Sequence, residues 1–219
     1  MTPHGTAPRR TQAERRSESE EALLAAAAEL VAERGLAGAS LANIGERAGT
    51  SRGLPTHHFG SKDALVERLA SRAQDGIQEA LEQATATTTA TATGRVRPDE
   101  LTARASICRM VDVYLGRFED PTPDERALLV LWGSTFPSSA SVAIMHEADR
   151  RSYEGIADLV ADGHRDGSIR ADLDPEATAV VILGTMRGTA ALLITHRETA
   201  DVRRVRENCR RIVASALGA

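Results

Sequence analysis

The chain has 219 residues, a formal net charge of −4, 42% hydrophobic and 26% charged residues, and only 3% aromatics. That length supports one large domain or two small ones around a well-buried core, and the composition is that of a globular protein. Several classes drop out. No unbroken apolar run reaches the ~18 residues of a membrane span. The polar, basic start does not read as a signal peptide. Cys108 and Cys209 stand alone without a CxxC pair, which argues against a disulfide framework or structural zinc. The expectation is a cytoplasmic protein with no membrane segment, no metal and no cofactor.

Residues 18–34 place Leu23, Ala27, Leu30 and Val31 on one helical face, with Gly35 as a stop. Arg9, Arg10, Arg15 and Arg16 outnumber Glu14 just before it, so residues 1–16 read as a flexible basic arm. Ser40 can cap a short helix carrying Leu41, Ile44 and Ala48 on one face, and Gly49 ends it. A short polar segment runs from Ser51 to His58, and Ser61 caps the next helix, with Leu65 and Leu69 on its apolar side. Residues 84–94 are an Ala/Thr tract read as a flexible connection. Pro98-Asp99-Glu100 restarts a helix to about Phe118. Thr122-Pro123-Asp124-Glu125 is a capping box that opens another, to about Pro137. A long helix over 139–165, one opened by Asp174-Pro175-Glu176 and running to about Thr195, and a last over 201–217 complete an all-α fold with no sustained strand alternation.

Residues 40–62 form a distinct constellation: an amphipathic helix, a glycine turn and a short polar helix, the pattern of a helix-turn-helix. Leu41, Ile44, Ala48 and Phe59 can pack the unit onto the first helix. Ser51, Arg52, Thr56 and His57 are then left outward, with donors and acceptors suited to base edges and phosphates. Adjacent His57 and His58 point roughly 100° apart on a helix and do not suit one metal ion.

The run Ala32-Glu33-Arg34-Gly35, Ser40-Leu41-Ala42-Asn43-Ile44, Ala48-Gly49-Thr50-Ser51-Arg52-Gly53 and His57-His58-Phe59-Gly60-Ser61-Lys62 resembles the TetR-family DNA-binding domain over residues 17–77. The resemblance implies three helices, the third reading DNA, followed by a connecting helix. It places Ser40 and Asn43 near phosphate and makes Ser51, Arg52, Gly53, Leu54, Thr56 and His57 the recognition segment. It also sends Lys62, the one lysine beside 26 arginines, to a phosphate. Leu54-Pro55-Thr56 departs from the family's usual Thr-Leu-Tyr. Thr56 offers a smaller hydroxyl in place of an aromatic one, and Leu54 can either meet a thymine methyl or pack.

Residues 78–219 resemble the family's helical effector-binding and dimerisation domain in layout. Val181, Gly184, Gly188 and Ala191 on the penultimate helix, and Val205, Cys209 and Ile212 on the last, form stripes suited to a four-helix homodimer interface or to intrachain packing. Met110, Tyr114, Phe118, Trp132, Phe136, Met145, Tyr153 and Met186 are candidates for an effector pocket in a chain so poor in large side chains, or plain core. Arg187, inside an apolar helix, can bind an anion, pair across a dimer or face solvent.

The function these readings imply is a DNA-binding transcriptional regulator. The resemblance adds a repressor that holds a palindromic double-stranded operator as a homodimer and is released by a small-molecule effector. The alternatives are a helical adaptor without operator binding and an enzyme. No GxSxG, HExxH, P-loop or GxGxxG pattern supports the enzyme.

Overall fold

The computed structural model describes residues 11–90, 102–134 and 139–218. Among these residues every regular element is helical: α1 Gln12–Gly38, α2 Leu41–Arg47, α3 Leu54–Phe59, α4 Lys62–Ala90, α5 Ala103–Gly116, α6 Pro123–Gly133, α7 Ser139–Asp166, α8 Pro175–Thr195 and α9 Val202–Leu217. A 3₁₀ turn, Arg117–Glu119, follows α5.

Local side-chain chemistry sets most helix starts. Ser40, Thr102, Thr122, Asp174 and Asp201 each accept a hydrogen bond from an amide of the first turn. The Thr122 box closes both ways, since the Glu125 carboxylate accepts from the Thr122 amide at 2.7 Å.

The expected start at Pro98-Asp99-Glu100 lies outside the described residues, and α5 is described from Ala103. Three other boundaries differ from the sequence reading. The first helix starts at Gln12, not 18, because Thr11 and Glu14 form a capping box of their own. Residues 12–16 of the expected arm are therefore helical, while Arg9 and Arg10 lie outside the described residues. The Ala/Thr tract expected to be a flexible connection is helical as far as Ala90. Threonine costs a helix at most about 0.7 kcal/mol per residue, and no Gly or Pro intervenes to stop it. Finally, α6 ends at Gly133, where Ser134 turns its hydroxyl back onto the Val130 carbonyl at 2.7 Å.

Two apolar clusters result. The first joins Leu23, Leu30, Ile44 and Leu69 of α1, α2 and α4 with Ala127, Leu128 and Leu131 of α6. The second joins Ile107, Val111 and Tyr114 of α5 with Val160 of α7, Ile182 and Met186 of α8, and Val213 of α9. The expected division near residue 77 is thus not a boundary in packing: α6, far beyond it in sequence, completes the N-terminal core. Arg72 of α4 reinforces the joint by bonding Glu21 of α1 at 3.3 Å and Asp124 of α6 at 2.5 Å.

α8 is long and apolar enough, by length and composition, to cross a membrane. Its inner side, however, carries Ala179, Ile182, Met186, Ala190 and Leu193 into the second core, as a helix of a bundle does.

Candidate nucleic-acid interface and interior polar cluster

Helix α2 is locked onto α1 by charge as well as by Ile44. Arg47 bonds Glu29 at 2.9 Å and Glu33 at 2.8 Å, which raises its own pKa and lowers that of Glu33. Arg47 is therefore spent on positioning and adds little to a phosphate-binding patch.

The turn from α2 to α3 rests on two glycines. Gly49 has φ +69°, the left-handed region where a Cβ is strained. Gly45 matters for space: a Cβ there would lie 2.6 Å from the Ser51 carbonyl oxygen and 3.2 Å from Pro55 Cδ. The chain entering α3 packs directly on this bare backbone, and Thr50 donates its amide to the Gly45 carbonyl at 2.9 Å. Pro55 is buried in the first turn of α3, where a missing N–H costs nothing. The departure from the family pattern at this position is thus a packing residue at the start of α3.

The structure brings the expected recognition residues together on one exposed end. Ser51, Arg52, Gly53, Thr56 and His57 are exposed, and Leu54 is half-buried against the first core. Arg52 is ion-paired with Glu46 on the preceding helix while most of its side chain stays in solvent. Three other expected contacts have intramolecular work. The Ser40 hydroxyl accepts from the Asn43 amide at 3.2 Å, and Asn43 Nδ2 donates to the Gly38 carbonyl at 3.3 Å. Lys62 Nζ donates to the Leu36 carbonyl at 2.5 Å, fastening the start of α4 to the end of α1 just past the kink at Gly35. In this conformation Lys62 positions the unit.

The expected interface residues divide. Val181, Gly184, Gly188 and Ala191 are exposed on α8, with Val181 66% exposed, and Ile212 on α9 is 67% exposed. Cys209 is 6% exposed and Val205 half-buried, both packed into the second core. They face inward, a correction to the stripe read from sequence. Val180 and Leu192, also exposed, extend the outer face.

The expected pocket residues divide as well. Tyr114, Phe118 and Met186 are buried in the second core, with Met110 and Tyr153 packed at its edge, whereas Trp132 packs against the first. Phe136 and the side chain of Met145 lie outside the described residues. Trp132 meets a polar cluster that the pattern of large side chains did not reveal. Asp149 of α7 accepts from Trp132 Nε1 at 3.2 Å, from Gln74 Nε2 of α4 at 3.1 Å, and from both Nη atoms of Arg187. The Arg187 guanidinium also lies over the Trp132 ring, 3.9 Å from its centroid. Of the three roles open to Arg187, the structure shows a fourth: an intrachain pair. Asp149 and Gln74 were missed; Arg187, the one basic residue of apolar α8, signalled a partner without saying which of many acids it was.

Residues 23–69 match the sequence profile of bacterial regulatory proteins of the tetR family, and residues 103–218 match that of the C-terminal part of BetI-type transcriptional repressors. The chain is 30% identical over 137 residues to the HTH-type transcriptional regulator BetI of Ectopseudomonas mendocina (strain ymp), covering 61% of this chain and 63% of that one. It is 48% identical over 58 residues to the regulator CymR of Pseudomonas putida, covering 26% and 29% of the two. The chain thus spans less than two thirds of the length of either relative. A solved structure of a putative TetR-family transcriptional regulator from Rhodococcus sp. superposes with a TM-score of 0.72 at 20% identity, covering 92% of this chain and all of that one.

Proposed function

Because the chain belongs to the TetR family of bacterial regulatory proteins, we propose that it is a cytoplasmic homodimeric repressor that reads a palindromic operator through α3 and leaves it when a small molecule binds the C-terminal helices. The observation that carries this reading is the exposed polar end formed by Ser51, Arg52, Thr56 and His57, held rigidly on the first core through Gly45, Pro55 and Arg47. Short hydroxyls, an imidazole and a guanidinium on a fixed helix suit base edges and phosphates of a major groove.

The outer face of α8 and α9 supports the homodimer. Val180, Val181, Leu192 and Ile212 are large apolar side chains left in solvent by a single chain. Between them Gly184, Gly188 and Ala191 allow close helix approach. Pairing this face with its copy sets two α3 helices at a fixed separation, and half-sites one helical turn apart require about 34 Å.

The packing also supports a coupling of effector to DNA. Asp149 ties α8 to α7, α6 and α4 through Arg187, Trp132 and Gln74. Helices α4 and α6 in turn form part of the core that holds the reading unit. A ligand that binds better to a different arrangement of these ties shifts the spacing of the two α3 helices by its differential affinity for the two arrangements.

A gel shift with the DNA upstream of the protein's own reading frame tests the proposal. The wild-type dimer retards that DNA, and Arg52→Ala together with His57→Ala abolishes the shift without changing the dimer. A folded dimer that retards no such DNA would favour a helical adaptor and overturn the regulator reading.

A further inference from the structure

The α2–α3 unit carries an acid on the face that, under the regulator reading on which this inference rests, meets DNA. Residues 40–60 hold two arginines, Arg47 and Arg52, and one acid, Glu46. Arg47 is taken by Glu29 and Glu33 of α1. Glu46 pairs with Arg52, and the two side chains stay open to solvent, 48% and 75% exposed. An ion pair so exposed adds little to the stability of a fold. A carboxylate beside a polyanion also opposes binding. Neither stability nor phosphate attraction therefore accounts for Glu46, and its effect on Arg52 is what remains.

Glu46 holds the guanidinium by one edge. Its Oε1 accepts from Arg52 Nε at 2.5 Å and also meets Nη2. A guanidinium is a planar fork with five N–H donors. With Nε and one hydrogen of Nη2 engaged, the end of the fork is left: Nη1 and the outer hydrogen of Nη2, two parallel donors. The backbone beneath the pair is fixed too. Arg52 Cα lies 3.2 Å from where a Cβ on Gly45 would stand, and Gly45 directly precedes Glu46. Thr50 donates its amide to the Gly45 carbonyl at 2.9 Å. Acid and arginine are thus carried on one packed turn, which gives the fork a set reach.

We propose that Arg52 reads a guanine in each half-site with the end of its fork, and that Glu46 is the positioning residue that makes this contact selective. Two parallel donors need two acceptors side by side in the major groove. Guanine offers O6 and N7 there. Adenine sets an amino donor beside its N7, thymine offers one oxygen, and cytosine offers an amino group. On a wrong base the fork lacks its second acceptor, and Glu46 keeps it from swinging to a phosphate instead. Glu46 thus weakens binding to every sequence, and least where the guanine is present. The Arg52 charge displaces counterions whether it rests on a base or beside a phosphate, so base chemistry is what separates the two.

The test uses the full-length protein on the duplex it protects upstream of its own reading frame, and on a shuffled duplex of the same composition. Each guanine of the protected duplex is replaced in turn by 7-deazaguanine, which lacks the N7 acceptor but still pairs with cytosine. The expected result is at least one guanine per half-site whose replacement weakens wild-type binding about tenfold and leaves Arg52→Ala binding, measured at low salt, unaffected. Glu46→Ala removes both charge and hold. It tightens binding to the shuffled duplex about tenfold and to the protected one by less than about threefold. Glu46→Asp keeps the charge but shortens the reach to Nε, so discrimination falls while the salt slope stays that of wild type. The absence of any guanine whose effect depends on Arg52 overturns the proposal. So does equal tightening of both duplexes by Glu46→Ala, or wild-type discrimination by Glu46→Asp, since either makes Glu46 a charge alone. Should a Glu46 variant fail to fold, the 7-deazaguanine series on wild type and Arg52→Ala decides the matter. Failure of the wild type to protect any upstream DNA would sink the regulator reading, whereas protection without an Arg52-dependent guanine sinks only this inference.

Discussion

The two cores of this molecule are built from different material. The first is Ala, Leu, Val and Ile, with no buried aromatic or sulfur-bearing side chain; the second includes Tyr114, Phe118, Met186 and Cys209. Small aliphatic residues on closely approaching helices leave few alternative packings, which suits the proposed role of holding α3 in one orientation. Thioether and aromatic side chains, with a buried hydroxyl that has no partner among the described residues, repack more readily. Polar chemistry divides in the same way. In the N-terminal region it is displayed on the surface at Ser51, Arg52, Thr56 and His57, and in the C-terminal region it is gathered between helices around Asp149. The two cores meet at α6, whose Leu128 and Leu131 belong to the first and whose Trp132 bonds to Asp149.

The contrast can be broken most forcefully in the cores. Leu69→Ala opens a cavity in the rigid one and costs about 3 kcal/mol by urea denaturation, whereas Met186→Leu in the adaptable one costs less than about 1.5 kcal/mol. Similar losses at both sites would remove the distinction. Next comes Gly45→Ala. Its methyl group meets the Ser51 carbonyl, a backbone atom that can yield only by moving α3, so the expected cost is about 2 kcal/mol. Operator affinity in a binding titration falls with it, and retention of full affinity would show that the close approach does not set the orientation of α3.

Tyr114→Phe has the opposite sign. Removing a buried hydroxyl without a partner among the described residues stabilises the ligand-free protein by about 1 kcal/mol, read as a rise in Tm. A fall in Tm would mean that the hydroxyl already serves the fold.

The smallest effect concerns acid. The Asp166 carboxylate accepts from the Ala103 amide at 2.9 Å and the Ser168 amide at 2.8 Å, and the first of these bonds is the main cause that holds its pKa below the ordinary 3.8. A lowered folded-state pKa means that this contribution is complete above the unfolded value. It is lost as pH falls through the folded one. Asp166→Asn should therefore flatten the acid limb of a Tm profile below about pH 4 and leave its slope near neutrality unchanged.

How far the molecule could be read in advance follows from the range of its interactions. Ser40, Thr122, Asp174 and Gly49 act on neighbours within a few residues, so helix starts and the turn before α3 were legible as spacing. Lys62 was legible as exceptional but not as a fastener, because its partner is the carbonyl of Leu36, in another helix. Gly45 looked like any helix glycine until Ser51 and Pro55 were seen against it. Cys209 shares a sequence stripe with Ile212, and only the position of α5 decides that one faces inward and the other outward. Asp149 was the least legible: Gln74, Trp132 and Arg187 converge on it from three other helices, and no local spacing records such a meeting.

The central claim is that the exposed end of α3 reads DNA, and fluorescence anisotropy across a salt series tests it most directly. For wild-type protein on the DNA upstream of its own reading frame, the logarithm of affinity should fall linearly with the logarithm of salt. Arg52→Ala should weaken binding and reduce that slope by about one phosphate contact, with Arg203→Ala as an unchanged control. Equal affinity and slope for all three proteins would place the DNA contact elsewhere and contradict the account.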